Sequence, residues 1–270
     1  MVAPPMPYAG GKQRLADRIV SLMPSHHHYV EPFAGALSVL LAKPIAPLET
    51  INDLDGDIVT FWRVLRDRPG DLERMCALTP HARDVYQDSR HPVTTDNDLT
   101  QAWRVWVRLT QGRGSRTDGS SGWRFVNGST TRMTMAKYLT GYLARIGPAA
   151  ERLRLVSIDH RPALDVIHGF DMPGTLFYVD PPYLASTRTE PRTYRYDMGT
   201  MDDHQELLHT LRECHGQVIL SGYRSDLYDQ VLHDWTRIDL AAPSTSGRVR
   251  TDSLWLNYTP PTLLNDKDTP

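Results

Sequence analysis

The chain has 270 residues, 40% of them apolar and 23% charged, a balance typical of a folded domain with a buried core. No apolar run approaches the roughly 18 residues of a membrane helix, and the N-terminal residues lack a signal-peptide layout, so no membrane partner is expected. Two cysteines, Cys76 and Cys214, argue against a disulfide framework and predict a reducing cytoplasm.

Helices and strands alternate in the first 65 residues, as in α/β folds. In chain order, the apolar spacing predicts a helix at Gly11 to Met23, a strand at Tyr29 to Phe33, a helix at Ala36 to Ala42, a strand at Leu48 to Asn52 and a helix at Asp55 to Arg66.

Residues 66–154 have a different character and are interpreted as an inserted, mainly helical domain. Helices are predicted at Asp71 to Leu78, Leu99 to Thr110 and Thr134 to Ile146, without a convincing strand. Residues 101–154 contain ten basic and two acidic residues, although the whole chain has a net charge of −2. This asymmetry predicts a face that attracts phosphates. A solvated helical surface is the alternative reading and stays open.

The alternation resumes in residues 155–270, which with residues 1–65 form the predicted catalytic domain. Helices are predicted at Asp203 to Cys214 and Ser225 to His233, and strands at Leu155 to Ile158, Thr175 to Val179, Gln217 to Ser221, Thr236 to Leu240 and Leu254 to Tyr258. A polar loop without a helix joins the last two strands, so they should form an antiparallel hairpin. Seven strands in this arrangement predict a mixed α/β sheet of the Rossmann-like methyltransferase type.

The tetrapeptide Asp180-Pro181-Pro182-Tyr183 directly follows an apolar strand, the position where such sheets bind ligands. A carboxylate and a proline-locked carbonyl can each accept one N–H from an exocyclic amine. Together they favour a pyramidal nitrogen whose lone pair points at a methyl donor. The ring of Tyr183 can stack on a base rotated out of the duplex.

A second strand-turn-helix element is Glu31-Pro32-Phe33-Ala34-Gly35-Ala36-Leu37-Ser38. Gly35 permits a tight turn and close ligand approach, and the helix that follows points its N–H groups at the ligand. Asp53 ends the next strand about twenty residues later, where a carboxylate can bind both ribose hydroxyls of a nucleoside cofactor.

The segment Tyr8-Ala9-Gly10-Gly11-Lys12 superficially resembles a phosphate-binding P-loop. A P-loop requires a glycine where this chain has Met6, and serine or threonine where it has Gln13. A nucleoside triphosphatase is therefore disfavoured. Lys12 can instead neutralise a carboxylate or a phosphate.

In this order, these motifs resemble the Dam-type (D12 class) DNA adenine methylases over nearly the whole chain. Tyr8 stands where many members have tryptophan, and Leu37 replaces the second glycine of the family's Asp/Glu-Pro-Phe-x-Gly-x-Gly motif. The resemblance extends to Asn52-Asp53, Ser221-Gly222-Tyr223 and Leu254-Trp255-Leu256-Asn257. It implies S-adenosyl-L-methionine (AdoMet) as cofactor, base flipping, and catalysis by Asp180, Pro181, Pro182 and Tyr183. The implied cofactor-binding residues are Tyr8, Lys12, Glu31, Phe33, Gly35, Asp53, Asp159 and Asp180.

The family places its DNA-recognition domain where the basic insertion lies, so double-stranded DNA is the expected partner. The predicted DNA-binding residues are Arg113, Arg116, Arg124, Arg132, Lys137, Arg188 and Arg192. The last two belong to residues 186–198, which also contain Tyr194 and Arg195 and are expected to close over the flipped base. A restriction endonuclease is a candidate partner, a monomer is favoured, and the expected location is the bacterial cytoplasm, for a bacterial or phage-encoded enzyme.

Other chemistries fit less well. A C5-cytosine methyltransferase needs a cysteine nucleophile after a proline, and neither cysteine has that setting. No metal is expected, because His26, His27 and His28 are adjacent and His204 and His209 miss the i,i+4 spacing; all are interpreted as surface residues. Two alternatives stay open, an N4-cytosine methyltransferase and a DNA-binding relative that has lost catalysis.

Overall fold

A computed structural model of the protein describes residues 2–91, 96–118, 120–126, 134–188, 193–243 and 249–261. Its centre is a seven-stranded sheet in the order β3-β2-β1-β4-β5-β7-β6. The strands are β1 (His28–Glu31), β2 (Leu48–Asn52), β3 (Ser157–Asp159), β4 (Thr175–Val179), β5 (Gln217–Gly222), β6 (Thr236–Pro243) and β7 (Val249–Leu256).

The sheet is mixed, as the sequence predicts. The strands from β3 to β5 are parallel, whereas β7 is antiparallel to both β5 and β6. The predicted terminal hairpin is confirmed, with Thr236 opposite Leu256 and Leu240 opposite Asp252. All five residues of β4 are buried, which explains its continuous apolar run.

Eleven α-helices lie in the described ranges. They are α1 (Ala16–Val20), α2 (Ser38–Ala42), α3 (Gly56–Asp67), α4 (Pro69–Ala77), α5 (Arg83–Ser89), α6 (Asp98–Gln111), α7 (Met135–Leu143), α8 (Ile146–Leu153), α9 (Ala163–Phe170), α10 (Met201–Glu213) and α11 (Asp226–Val231). None of the helices in these ranges is long and apolar enough to cross a membrane.

Three helices are not predicted from the sequence. The first, α8, begins at the last residue of the helix predicted over residues 134–146 and contains Gly147 and Pro148. Helix α5 buries only Tyr86 and Ser89, so it shows no apolar periodicity, and the short α9 contains Gly169. The predicted helix at residues 11–23 is reduced to α1, because residues 8–15 form turns in which Gly11 N–H bonds Tyr8 O and Leu15 N–H bonds Lys12 O.

The inserted helices share the core of the sheet. Leu72 of α4, Trp106 of α6 and Leu153 of α8 belong to the same hydrophobic cluster as Ile51 of β2. Trp106 is 2% exposed, and its Nε1 donates to Pro5 O at 3.1 Å. The division of the chain into an insertion, residues 66–154, and a catalytic domain stays a prediction. Helices of the insertion pack in the same hydrophobic core as the sheet.

The positive charge of the insertion is partly neutralised within the fold. Five of the ten basic residues in residues 101–154 pair with carboxylates, two of them with residues outside residues 66–154: Arg108 with Asp57 at 2.6 Å and Arg152 with Glu49 at 2.5 Å. The other three are Arg104, Arg116 and Arg154, which pair with Asp96, Asp118 and Glu151. The sequence count therefore overstates the charge that is available to a phosphate backbone.

Candidate active site

A cavity of about 720 Å³ lies beyond the carboxyl ends of β1, β2 and β4. Each of these strands ends in a turn that contributes to its wall: residues 31–39 after β1, residues 53–55 after β2 and residues 180–183 after β4. Residues 8–12 and 193–198 also line the cavity, as do residues 114, 116–117, 162–164, 178, 188 and 223. The cavity is large enough for a nucleoside cofactor, since ligand pockets typically span roughly 300–1,000 Å³.

The turn after β1 places backbone atoms of Gly35 in the cavity wall. Gly35 has φ +45°, and its N–H donates to Asp53 Oδ2 at 2.9 Å. Its carbonyl accepts a bond from Trp62 Nε1, also at 2.9 Å. A Cβ at this position would lie 3.0 Å from Cε1 of Tyr8. Glycine is therefore required both by the backbone conformation and by the close approach of the tyrosine.

Leu37, the departure from the family's glycine, adopts a left-handed conformation with φ +53° and ψ +33°. A leucine is strained there, but its side chain is 1% exposed and packs in the main core. In this chain a left-handed position is thus occupied by a buried apolar side chain.

Leu37→Gly is expected to lower the free energy of unfolding. Relief of left-handed strain returns about 1–2 kcal/mol, whereas loss of a buried leucine side chain costs about 2–5 kcal/mol. Urea denaturation should therefore show a net loss of roughly 1–3 kcal/mol. A variant more stable than the wild type would show that backbone strain, not burial, dominates at this turn.

Asp53 is held by the backbone at the end of β2. Its Oδ1 accepts Asp55 N–H at 2.9 Å, and its Oδ2 accepts Gly35 N–H. Burial raises the pKa of Asp53 to about 6, although the two hydrogen bonds lower it. The neighbouring Asn52 donates to Pro32 O and accepts from Arg161 N, so it joins the loops after three strands. These contacts fix Asp53 in the cavity wall.

Glu31 ends β1 and also faces the cavity. It is 3% exposed and accepts a hydrogen bond from Tyr29 Oη at 2.8 Å. Burial raises the pKa of Glu31 to about 8. Phe33 lies on the same turn and contributes an apolar surface to the wall. An apolar group can therefore pack on this side of the cavity, and a cationic group can bind there when Glu31 is ionised.

The centre of the site is an ion pair between Lys12 and Asp180. Lys12 is 5% exposed; its Nζ lies 2.9 Å from Asp180 Oδ2 and donates to Gly10 O at 2.8 Å. Burial raises the pKa of Asp180, and the charge of Lys12 opposes that rise. Burial disfavours the Lys12 cation, but Asp180 raises the pKa of Lys12 above its usual value. Asp180 Oδ1 is buried, without a hydrogen-bond partner among the described residues.

Tyr183 lies beside this ion pair. Lys12 Nζ is 4.8 Å from the centre of the tyrosine ring, and the ring of Tyr223 meets it edge-on with centroids 4.5 Å apart. Pro181 and Pro182, which have no backbone N–H, also line the cavity. The wall thus combines a carboxylate, two prolines and an aromatic ring.

Residues 193–198 cover one side of the cavity. The ring of Tyr194 stacks on that of Tyr8 with centroids 6.0 Å apart, and its hydroxyl donates to Ala9 O at 3.1 Å. Arg195 pairs with Asp57 at 2.8 Å. The hydrogen bond to Ala9 joins residues 185 positions apart, and nothing in the sequence indicates it.

Two predicted DNA-binding arginines, Arg116 and Arg188, line the cavity. Arg188 is engaged within the protein, since it pairs with Asp197 at 2.6 Å and donates to the carbonyl of Tyr183. It thus contacts the loop that carries Tyr183.

Three other predicted DNA-binding residues lie away from the cavity. Arg113 and Lys137 are exposed, and Arg124 is half-buried with its guanidinium over Tyr138. The guanidinium of Arg113 lies over Phe125. Two more, Arg132 and Arg192, fall outside the described residues.

Among the predicted cofactor-binding residues, Asp159 is not part of the cavity wall. It ends β3, the edge strand of the sheet, and its carboxylate pairs with Arg161 and accepts the N–H of His160. The other seven predicted cofactor-binding residues all line the cavity.

The interpretation of His204 as a surface residue is wrong. The residue is fully buried, and its Nδ1 lies 2.8 Å from Tyr228 Oη. It sits on the inner face of α10 beside Leu207 and Leu208, so its burial follows from the apolar stripe of that helix. Burial lowers the pKa of His204 and favours the neutral ring.

The sheet order and the polar residues at its carboxyl edge define a Rossmann-like methyltransferase fold. The chain belongs to the D12 class N6 adenine-specific DNA methyltransferases, a family whose pattern matches residues 8–242. This match confirms the resemblance indicated by the motifs.

Individual relatives are more distant. The chain is similar to DNA adenine methylases from two strains of Vibrio cholerae serotype O1, with 28% identity over 95 residues in each case. That match covers 34% of this chain and 34% of each relative, so it spans about a third of their length. Among solved structures, the chain is similar to the rRNA methyltransferase aviRa from Streptomyces viridochromogenes. The match covers 95% of this chain and 87% of the aviRa chain, with 12% identity and a TM-score of 0.37.

Proposed function

We propose that this protein transfers a methyl group from AdoMet to the N6 amine of adenine in double-stranded DNA. The observation that carries the proposal is the buried Asp180, which lines the cavity with one oxygen held by Lys12 and the other without a hydrogen-bond partner among the described residues. A buried, unpaired carboxylate oxygen is costly unless a ligand donates to it. An exocyclic amine is such a donor.

The amine is proposed to bind between Asp180 and the carbonyl of Pro181. Each accepts one N–H, which draws the nitrogen toward a pyramidal geometry and frees its lone pair for attack. Lys12 supports this role because its charge favours the ionised form of Asp180. The lone pair of the amine would attack the methyl carbon while the bond between that carbon and the cofactor sulfur breaks, and the sulfur would keep the bonding electrons. The positive charge that develops on the amine lies beside the Asp180 carboxylate, which accepts the N–H proton that the amine then loses.

The cavity also fits the proposed cofactor. Asp53 is assigned to the ribose hydroxyls, and Gly35 leaves room for a ligand against the turn after β1, with Tyr8 and Phe33 as apolar surfaces. Bound AdoMet supplies an electrophilic methyl group on a sulfonium. Glu31, with a pKa near 8, can bind a cationic group of the cofactor in its ionised form.

Double-stranded DNA is the proposed partner, with the exposed Arg113 and Lys137 as phosphate contacts. Flipping of the target base is required because N6 of adenine is inaccessible to this cavity inside a duplex. A bacterial cytoplasm, for a bacterial or phage-encoded enzyme, is the proposed location. A monomer and a companion restriction endonuclease complete the proposal.

The proposal is tested by incubating the protein with tritiated AdoMet and mixed-sequence duplex DNA, followed by digestion and separation of the nucleosides. Tritium should appear in N6-methyladenine. A duplex with deoxyinosine in place of deoxyadenosine is the matched control, since it lacks the exocyclic amine, and should remain unlabelled. Label in N4-methylcytosine would favour the cytosine alternative, and absence of label from every duplex would favour an inactive DNA-binding relative.

A further inference from the structure

The hydroxyl of Tyr183 is hydrogen-bonded to two residues far from it in sequence. It donates to Asp252 Oδ1 at 3.3 Å and lies 3.1 Å from Ser221 Oγ. Ser221 is buried near the end of β5, and Asp252 is half-buried on the adjacent β7. Both residues belong to the rigid sheet, so the polar end of the tyrosine is fixed to the scaffold.

The direction of these bonds follows from the donors available. A carboxylate only accepts, so the single phenolic hydrogen of Tyr183 points at Asp252 and Ser221 then donates to the tyrosine oxygen. Burial raises the pKa of Tyr183, which keeps the phenol protonated and able to donate. A bond to a charged acceptor is stronger than one to a neutral oxygen.

Tyr183 is therefore held at both ends. Its ring contacts Lys12 and Tyr223, while its hydroxyl is bound by Asp252 and Ser221. Neither Asp252 nor Ser221 lines the cavity. Their hydrogen bonds can therefore orient a bound base only through the tyrosine, although the charge of Asp252 also raises the pKa of Asp180 and of Lys12, and Ser221 lowers that of Asp180.

We propose that Asp252 is a positioning residue that fixes the ring of Tyr183 in one orientation before the target base enters. This inference rests on the proposed function, in which Tyr183 stacks on the flipped adenine. A ring that is already ordered loses less conformational freedom when the base binds. Because the base and Asp180 meet in the same cavity, a tilted ring would displace the amine from its acceptors.

The test measures single-turnover methyl transfer to duplex DNA by Asp252→Ala, Tyr183→Phe and the double variant. Each single change should slow the methyl-transfer rate by roughly tenfold, the effect expected for one charge-assisted hydrogen bond. The KM for AdoMet should stay within about twofold of the wild-type value, because the cofactor side is untouched. The double variant should be no slower than Tyr183→Phe, since both changes remove the same bond.

Asp252→Asn keeps an acceptor oxygen and should retain at least about a third of the wild-type rate. Asp239→Asn is the matched control on the neighbouring strand β6, where the carboxylate contacts Ser253 and Arg237. It should leave the rate unchanged. If Asp252→Ala fails to fold, as judged by circular dichroism, the positioning role is tested by comparing the methyl-transfer rates of Asp252→Asn and Tyr183→Phe.

A wild-type rate in Asp252→Ala, or a double variant in which the two losses multiply, would overturn the positioning role. So would an Asp252→Asn variant as slow as Tyr183→Phe. All of these results leave methylation by the wild-type protein intact, so they are distinct from failure of the proposed function, in which the wild type itself would not label DNA.

Discussion

Asp180→Ala is expected to slow methyl transfer to DNA by about 10³-fold or more, since it removes a preorganised acceptor where charge develops in the transition state. The measurement is single-turnover transfer of tritium from AdoMet. Asp180→Asn keeps one acceptor oxygen but loses the negative charge beside Lys12, and a smaller loss is expected. Circular dichroism should show native secondary structure in both variants.

Asp98→Ala is the matched control for this experiment. Asp98 is 61% exposed and pairs with Arg63 at the surface, away from the cavity. Such exposed pairs contribute little to stability, so the Asp98→Ala variant should be as active as the wild type. Retention of more than about a tenth of the wild-type rate in Asp180→Ala would refute the role of this carboxylate, because loss of a single preorganised group ordinarily costs at least 10²-fold.

Lys12→Met is expected to reduce kcat/KM at neutral pH by about 10²-fold. The charge of Lys12 lowers the pKa of Asp180 against the effect of burial, so its removal raises that pKa further. At neutral pH a larger fraction of Asp180 is then protonated and cannot accept the amine with full negative charge. Because the ionised fraction grows with pH, activity should recover as the pH rises.

The measurement is the pH profile of kcat/KM for the wild type, Lys12→Met and Lys12→Arg. The acidic limb of the methionine variant should lie at higher pH than that of the wild type. Arginine preserves the charge, so its limb should stay close to the wild-type position even if the rate is lower. A methionine variant with an unshifted limb would mean that Lys12 does not control the ionisation of Asp180.

Much of the fold could be predicted because its signals are local. All seven strands were predicted, and the bounds of β2 and β4 agree with the structure. Helix α3 begins one residue after Asp55, which caps it by accepting Asp57 N–H. The motif residues were also predictable as a group, because they follow strands whose carboxyl ends meet at one edge of the sheet.

Other features were out of reach because they depend on partners distant in sequence. The bond from Tyr183 to Asp252 joins residues 69 positions apart, and the predicted last strand began only after Asp252. The ion pair between Arg152 and Glu49 converts an apparent phosphate contact into a buried structural link. Residue type alone does not show which charges the fold neutralises.

The sequence by itself determined the number of strands and their positions along the chain, the residue types at the strand ends and the family, since periodicity and motif spacing are properties of adjacent residues. Tertiary structure alone decided that Lys12 pairs with Asp180, that Leu37 tolerates a left-handed turn and that Asp252 holds Tyr183. The physical reason is that burial and ion pairing are set by packing between segments far apart in the chain.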